Sequence, residues 1–409
     1  MHFVLSGFSG APRDTATCIK AAGSAATSWR PKMATQRIID FINTRRPNGP
    51  CMVLDLDVVR ENFHNFEMAL PESKIFYAVK ANPAPEILRL LASLGSNFDT
   101  ASVAEVEMAL DAGATADRIS FGNTIKKERD IARAFELGIR LFAVDCVEEV
   151  EKVARAAPGS RVFCRVLTDG AGAEWPLSRK FGCVPAMVVD VLRAAQKLGL
   201  DSYGVSFHVG SQQTDLAAWD RALGDAKQVF DTLAKEGITL KMVNMGGGFP
   251  TRYLKDVPTA QAYGQAIFQA LSKHFGNRLP ETIIEPGRGM VGNAGVIKAE
   301  VVLVSKKAAN DNVRWVYLDI GKFGGLAETM DEAIRYQITT PRDGDRSEPC
   351  VLAGPTCDSA DVMYEKNPYP LPISLTIGDE VLIEGTGAYT TTYSAVAFNG
   401  FEPLRSYVI

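Results

Sequence analysis

The sequence predicts an α/β protein: a (β/α)8 TIM barrel with a second, C-terminal antiparallel β domain. Three observations predict it. Eight short apolar runs alternate with amphipathic stretches between residues 74 and 288, the pattern of parallel strands joined by helices. The ends of those runs are rich in polar residues and glycine, and barrels of this kind place their chemistry at the strand ends. From about residue 290 the chain becomes β-rich, with turn residues between the runs.

Taken in order, residues 1–33 form a leader. Arg13, Lys20, Arg30 and Lys32 stand there against one acid, Asp14, among Ala, Ser, Thr and Gly. This composition fits a disordered stretch or translation upstream of Met33, with an acid-poor transit peptide as the alternative. Ile38, Ile39, Phe41 and Ile42 then have helical spacing, and residues 34–50 are expected to pack with the β domain. The barrel is expected over 51–289. Its strands are KIFYAVKA (74–81), SNFDTAS (96–102), RISFGNT (118–124), RLFAVDC (140–146), RVFCRVL (161–167), YGVSFHVGS (203–211), KMVNMGGG (241–248) and TIIEPGR (282–288). Between them lie helical stretches such as APEILRLLASLG and SVAEVEMALDAG; the second opens on a Ser-x-x-Glu capping box and closes on Gly113. A doubly wound open sheet would offer Gly-x-Gly-x-x-Gly after its first strand, and the sequence there is YAVKANPAPE. The β domain is expected over 290–409, with runs such as VIKAEVVLVSKKA, VRWVYLDI and EVLIEGTGAY.

At 409 residues, the chain exceeds one ordinary domain of about 100–200 residues. It is 46% hydrophobic and 22% charged, enough to bury a core. A net charge of −4 lacks the basic footprint of nucleic-acid binding. No run of about 18 apolar residues is present to span a membrane. Seven cysteines without a CxxC, and only four histidines, disfavour a disulfide framework and a metal site and fit a reducing cytoplasm.

The strand ends carry Lys80, Asp99, Arg165, His208, Ser211, Gly246, Gly247, Gly248, Glu285 and Arg288. The loops after the seventh and eighth strands are where barrels hold phosphate. There, GGG (246–248) lets backbone N–H groups approach an anion, and Gly287-Arg288 adds a bidentate cation. Lys80 ends an apolar strand, where burial lowers a lysine pKa and favours the neutral, carbonyl-attacking amine. A lysine facing a phosphate cradle suggests pyridoxal 5'-phosphate held as a Schiff base. Glu285 could then bond the pyridine nitrogen and keep the ring an electron sink, and His208 could stack on it. Each has an ordinary explanation: a snorkelling lysine, a tight glycine turn, a Glu285–Arg288 ion pair, a core histidine, and for Glu105 the capping box alone.

YAVKAN, FDTAS, RKFG, FHVGSQ, GGGFP, EPGR, GPTCD, GAY and FNGF occur in that order between residues 77 and 401. With these motifs the chain resembles the fold-type III pyridoxal-phosphate decarboxylases, the ornithine decarboxylase family above all, whose fold is alanine-racemase-like. The resemblance runs from about residue 50 to 409. It implies that Lys80 bonds the cofactor, Glu285 meets the pyridine nitrogen and His208 stacks on the ring. It implies that Ser211, Gly246 to Gly248, Gly287, Arg288 and Tyr389 hold the phosphate, and that Asp99, Glu105 and Arg165 line the cofactor. Lys180 matches a loop residue that contacts a second subunit. The resemblance further implies a homodimer with shared active sites, in which Cys357 protonates the product carbon and Asp358 binds the distal amine of a cationic amino acid.

Two positions depart from the family pattern. Phe323 stands where a Tyr follows the Asp-x-Gly turn, and Asp331-Glu332 occupies the stretch that often offers Tyr-Asp to the substrate amine. These acids, with Cys357-Asp358, favour a free distal amine and so ornithine, giving putrescine. Lysine or a dual lysine/ornithine activity is the first alternative, diaminopimelate the next. Alanine racemization is disfavoured by the acid at 285, and a catalytically inactive polyamine-pathway regulator is the remote case.

Overall fold

The computed structural model describes residues 32–175 and 180–409; most of the leader expected over 1–33 lies outside them. The first strand, β1 (Cys51–Leu54), precedes the barrel. It is followed by β2 (Ser73–Ala78), β3 (Asn97–Thr100), β4 (Ile119–Phe121), β5 (Leu141–Val144) and β6 (Arg161–Arg165). Next come β7 (Ala173–Trp175), β8 (Asp201–Ser206), β9 (Ser211–Gln213), β10 (Met242–Asn244) and β11 (Glu281–Ile284). Strands β2 to β6, β8, β10 and β11 close into a parallel barrel; β7 and β9 form a small antiparallel ribbon. All eight barrel strands are those read from the sequence.

The barrel forms because its strands are apolar on both faces. Phe76, Leu141, Ala143, Phe163, Met242 and Ile283 make a cluster of their own that fills the interior. The alternate residues, such as Tyr77, Phe98, Phe142 and Val205, pack outward on the helices in the largest core. Local signals set the helix ends. Ser102 Oγ accepts from the Glu105 N–H at 3.2 Å, Thr259 Oγ1 from the Ala262 N–H at 3.3 Å, and Pro85 and Pro185 each open a helix. No helix among the described residues is long and apolar enough to cross a membrane.

The second domain is built on β12 (Gly295–Ser305), β13 (Arg314–Leu318), β14 (Gln337–Thr339), β15 (Ser347–Ala353), β16 (Val362–Met363), β17 (Tyr369–Pro372), β18 (Glu380–Glu384) and β19 (Arg405–Val408). The pairing is mostly antiparallel, with β13–β15 and β1–β19 parallel. Strand β1, placed at the start of the barrel by the sequence boundary at 51, instead sits in this sheet between β12 and β19. The helix Gln36–Arg45 buries Ile38 and Ile42 against Cys51, Val53 and Val296 of that sheet.

Candidate active site

Lys80 follows β2 in a single 3-10 turn, Val79–Ala81. Its neighbours Val79 and Ala81 are buried while its own side chain is half exposed. The amine lies 3.8 Å from Asp99 at the end of β3. Burial pulls the Lys80 pKa down, but Asp99, Tyr389 and Glu285 together raise it above the ordinary lysine value. The sequence-based expectation of a neutral amine therefore fails: burial loses to three nearby acidic groups. Glu105 serves two purposes. Its N–H completes the cap on Ser102, while Oε2 accepts the Ala101 N–H at 2.7 Å. Burial, then Asp99, raise its pKa.

His208 follows β8. The Gly210 N–H donates to its Nδ1 at 2.9 Å, so a neutral ring carries its proton on Nε2. Burial, with the charges of Arg165 and Lys80, lowers its pKa to about 3. The imidazole is thus neutral at working pH and suits a flat stacking role. Arg165 ends β6, and burial lowers its pKa as well. Its guanidinium lies over the Phe181 ring at 5.4 Å, and Lys180 Nζ lies 4.9 Å from that same ring. Glu285 follows β11; burial first and Asp99 second push its carboxyl up to about 7. Asn244 Nδ2 donates to Glu285 Oε1 at 2.5 Å. The ordinary explanation of Glu285 as a partner of Arg288 does not hold.

Arg288 is instead buried against Glu328, 40 residues on: NH1 donates to Oε2 at 2.7 Å and NH2 to Oε1 at 2.5 Å. NH1 also donates to Tyr253 Oη at 2.7 Å. Both terminal nitrogens are committed, so the bidentate anion contact read from the sequence is taken by a carboxylate of the protein. The Arg288 Nε, buried, has no hydrogen-bond partner. Ser211, Gly247, Gly248, Gly287, Arg288 and Tyr389 line one recess with Lys80, His208 and Glu285. Gly246 lies behind it, its N–H donating to Asn244 Oδ1 at 2.9 Å. The glycines are required by close approach. A Cβ at 246 would sit 2.1 Å from the Phe207 carbonyl oxygen, one at 247 2.6 Å from that of Glu285, and one at 248 2.5 Å from that of Gly210. Tyr389, with φ of 57°, ties the second domain to this mouth, its N–H donating to the Ala81 carbonyl at 2.9 Å. Thr392 Oγ1 donates to the Lys80 carbonyl at 3.2 Å.

The remaining predicted residues do not line this recess. Cys357 is exposed, in the loop between β15 and β16, its N–H donating to Asn399 Oδ1 at 3.0 Å. Asp358 is exposed too and accepts the Ala360 N–H at 2.8 Å, the turn role its sequence allowed. Phe323 packs on Phe398 with ring centroids 5.0 Å apart. Glu332 is committed: it accepts from the Lys366 and Asn367 N–H groups, Asn367 Nδ2 and Arg335 NH1. Asp331 is 84% exposed, with Lys366 Nζ at 3.1 Å. Sequence reasoning missed Asn244, Tyr253, Glu328 and Thr392. Of these, only Asn244, two residues before the glycine run, had a local signal.

A family model described as pyridoxal-dependent decarboxylase, pyridoxal binding domain, matches residues 56–292. The chain belongs to the pyridoxal-dependent decarboxylases. It is 36% identical over 359 residues to a lysine/ornithine decarboxylase of Selenomonas ruminantium, covering 87% of this chain and 88% of that one. It is 35% identical over 367 residues to a chloroplastic ornithine decarboxylase of Nicotiana glutinosa, covering 86% and 82%. The solved structure of a Vibrio vulnificus lysine/ornithine decarboxylase complexed with cadaverine superposes with a TM-score of 0.82 at 31% identity, over 92% of this chain and 99% of that one.

Pyridoxal 5'-phosphate is the cofactor of this decarboxylase, and the recess fits it. A flat neutral ring, an acid of raised pKa, a lysine amine and glycines too crowded for any Cβ meet at one barrel mouth. The unpartnered Arg288 Nε–H among the recess-lining residues is a donor that an anionic group would satisfy.

Proposed function

We propose that the chain decarboxylates L-ornithine to putrescine, with Lys80 joined to the cofactor. The reading is carried by the meeting of Lys80, neutral His208, Glu285 and the glycine cradle at one recess. When bound, pyridoxal phosphate supplies an electron sink for the pair released as the bond to the substrate carboxylate breaks. The residues do the rest. Lys80 would hold the cofactor by its amine. Glu285 holds a proton at the pyridine nitrogen, and the Asn244 donor favours its charged form. His208 packs its neutral ring against the cofactor face. Gly247, Gly248, Ser211, Tyr389 and the Arg288 Nε–H bind the phosphate. Gly246 and Gly287 allow that approach by lacking a Cβ, while Asp99, Glu105 and Arg165 set the charge around Lys80.

A second copy of the chain completes the site. Cys357 and Asp358 are exposed and sit apart from the recess lining of their own chain. Phe398 and Phe401, which flank the Asn399 that accepts the Cys357 N–H, leave apolar surface open. In a homodimer Cys357 reaches the partner's recess and delivers the proton to Cα, while Asp358 binds the distal ammonium of the substrate. Asp331 is the second acid for that ammonium, because the carboxylate of Glu332 is already saturated.

L-lysine is the second reading, favoured by the likeness to lysine/ornithine decarboxylases. Asp331, shorter than Glu332, leaves room for the extra methylene. The test is kcat/KM on ornithine, lysine, arginine and diaminopimelate. Ornithine is expected to lead with lysine within a factor of about 10–200, the range one methylene commands in a pocket. A lead for arginine or diaminopimelate would overturn the assignment.

A further inference from the structure

We propose that Asn244 is a positioning residue whose one amide fixes both ends of the cofactor site, the acid at the pyridine nitrogen and the glycine cradle at the phosphate. This rests on the reading of Glu285 as the partner of the pyridine nitrogen.

Asn244 ends β10 and is 1% exposed. Its Nδ2 donates to Glu285 Oε1 and its Oδ1 accepts the Gly246 N–H at 2.9 Å. The backbone repeats the link: the Glu285 N–H donates to the Gly246 carbonyl at 2.8 Å, and the Phe207 N–H donates to the Asn244 carbonyl at 3.0 Å. The strand ends of β8, β10 and β11 are therefore stitched together around one residue, its side chain serving β10 and β11 and its carbonyl serving β8. The amide suits both bonds. They need a donor toward a carboxylate and an acceptor toward a backbone N–H. An aspartate keeps the acceptor, loses the donor, and sets a second negative charge against Glu285. An alanine leaves two buried polar groups without partners.

The groups acting on Glu285 come from four directions. Asp99 at β3 opposes its ionisation, while Lys80 after β2, Arg165 at β6 and Asn244 favour it. Exchanging the amide for a carboxylate moves one of the three helpers to the opposing side. Glu285 then keeps its proton to higher pH, and a protonated carboxyl cannot hold a second proton on the ring nitrogen.

The test compares Asn244→Asp and Asn244→Ala with Glu285→Gln, each purified as full chain and shown folded by circular dichroism. Two quantities are read: the acid midpoint of kcat/KM, and the Kd for pyridoxal phosphate by equilibrium dialysis of resolved enzyme. Asn244→Asp is expected to raise the midpoint by about one pH unit and weaken cofactor binding about tenfold, the weight of one charge-assisted hydrogen bond. Asn244→Ala is expected to weaken binding similarly and move the midpoint less. An Asn244→Asp enzyme with midpoint and Kd both at the wild-type values overturns the proposal. Should that variant fail to fold, an unchanged Kd in Asn244→Ala overturns it and a tenfold loss supports it. Glu285→Gln separates the two layers. If it too leaves the profile and Kd unchanged, the reading of Glu285 is wrong; if it moves them and Asn244→Asp does not, the error is confined to Asn244.

Discussion

Glu285 and Arg288 are three residues apart in the sequence and have separate fates in the fold. Arg288 turns away to Glu328 and Tyr253, and Glu285 is left to Asn244. The local string EPGR made their mutual pairing reasonable; only a residue 40 positions on could break it, and no local pattern announces Glu328. Two predictions belong here. In Glu328→Ala the Arg288 guanidinium loses its buried counter-charge, and unfolding free energy is expected to fall by roughly 3–5 kcal/mol, read by urea denaturation. The Glu285 carboxyl has a pKa of about 7 when folded against 4.5 for an unperturbed glutamate. The folded state holds its proton longer, so rising pH between 4.5 and 7 favours the unfolded chain. Cofactor-free Glu285→Gln should therefore gain stability relative to wild type across that window, with the difference constant above it. A difference that shrinks as pH rises would contradict the assignment.

At the level of elements, the eight barrel strands were legible because parallel strands buried on both faces read as short apolar runs. Strand β1 was not. CMVL has four buried residues and could serve either sheet; its partners, β12 and β19, lie some 240 and 350 residues away, and nothing local selects them. Lys80 shows the same limit in electrostatic form. Its position at the end of β2 was readable, but the sign of its pKa shift depends on Asp99, Tyr389 and Glu285, which arrive from three other elements. The glycine loop after β10 yields a prediction at this scale. Gly247→Ala would drive a Cβ to 2.6 Å from the Glu285 carbonyl oxygen, so the loop must shift. Cofactor affinity should fall at least tenfold while the barrel keeps its circular dichroism; unchanged affinity would show that the cradle does not touch the phosphate.

Over the whole molecule, one chain divides its predicted site residues between two places. The cofactor group meets at the barrel mouth, whereas Cys357, Asp358 and Asp331 face outward from the β domain. The homodimer proposed above would reconcile them. Mixing inactive Lys80→Ala with inactive Cys357→Ala chains should restore about a quarter of native activity, because half of the randomly formed dimers hold one intact site of two. No recovery after verified exchange would place the whole site within one chain. The claim beneath all of this is the role of Lys80, and reduction of the holoenzyme with borohydride followed by peptide mass mapping tests it most directly. The account predicts the reduced cofactor on the peptide containing Lys80; the label on any other lysine, the buried Lys126 for example, would contradict it.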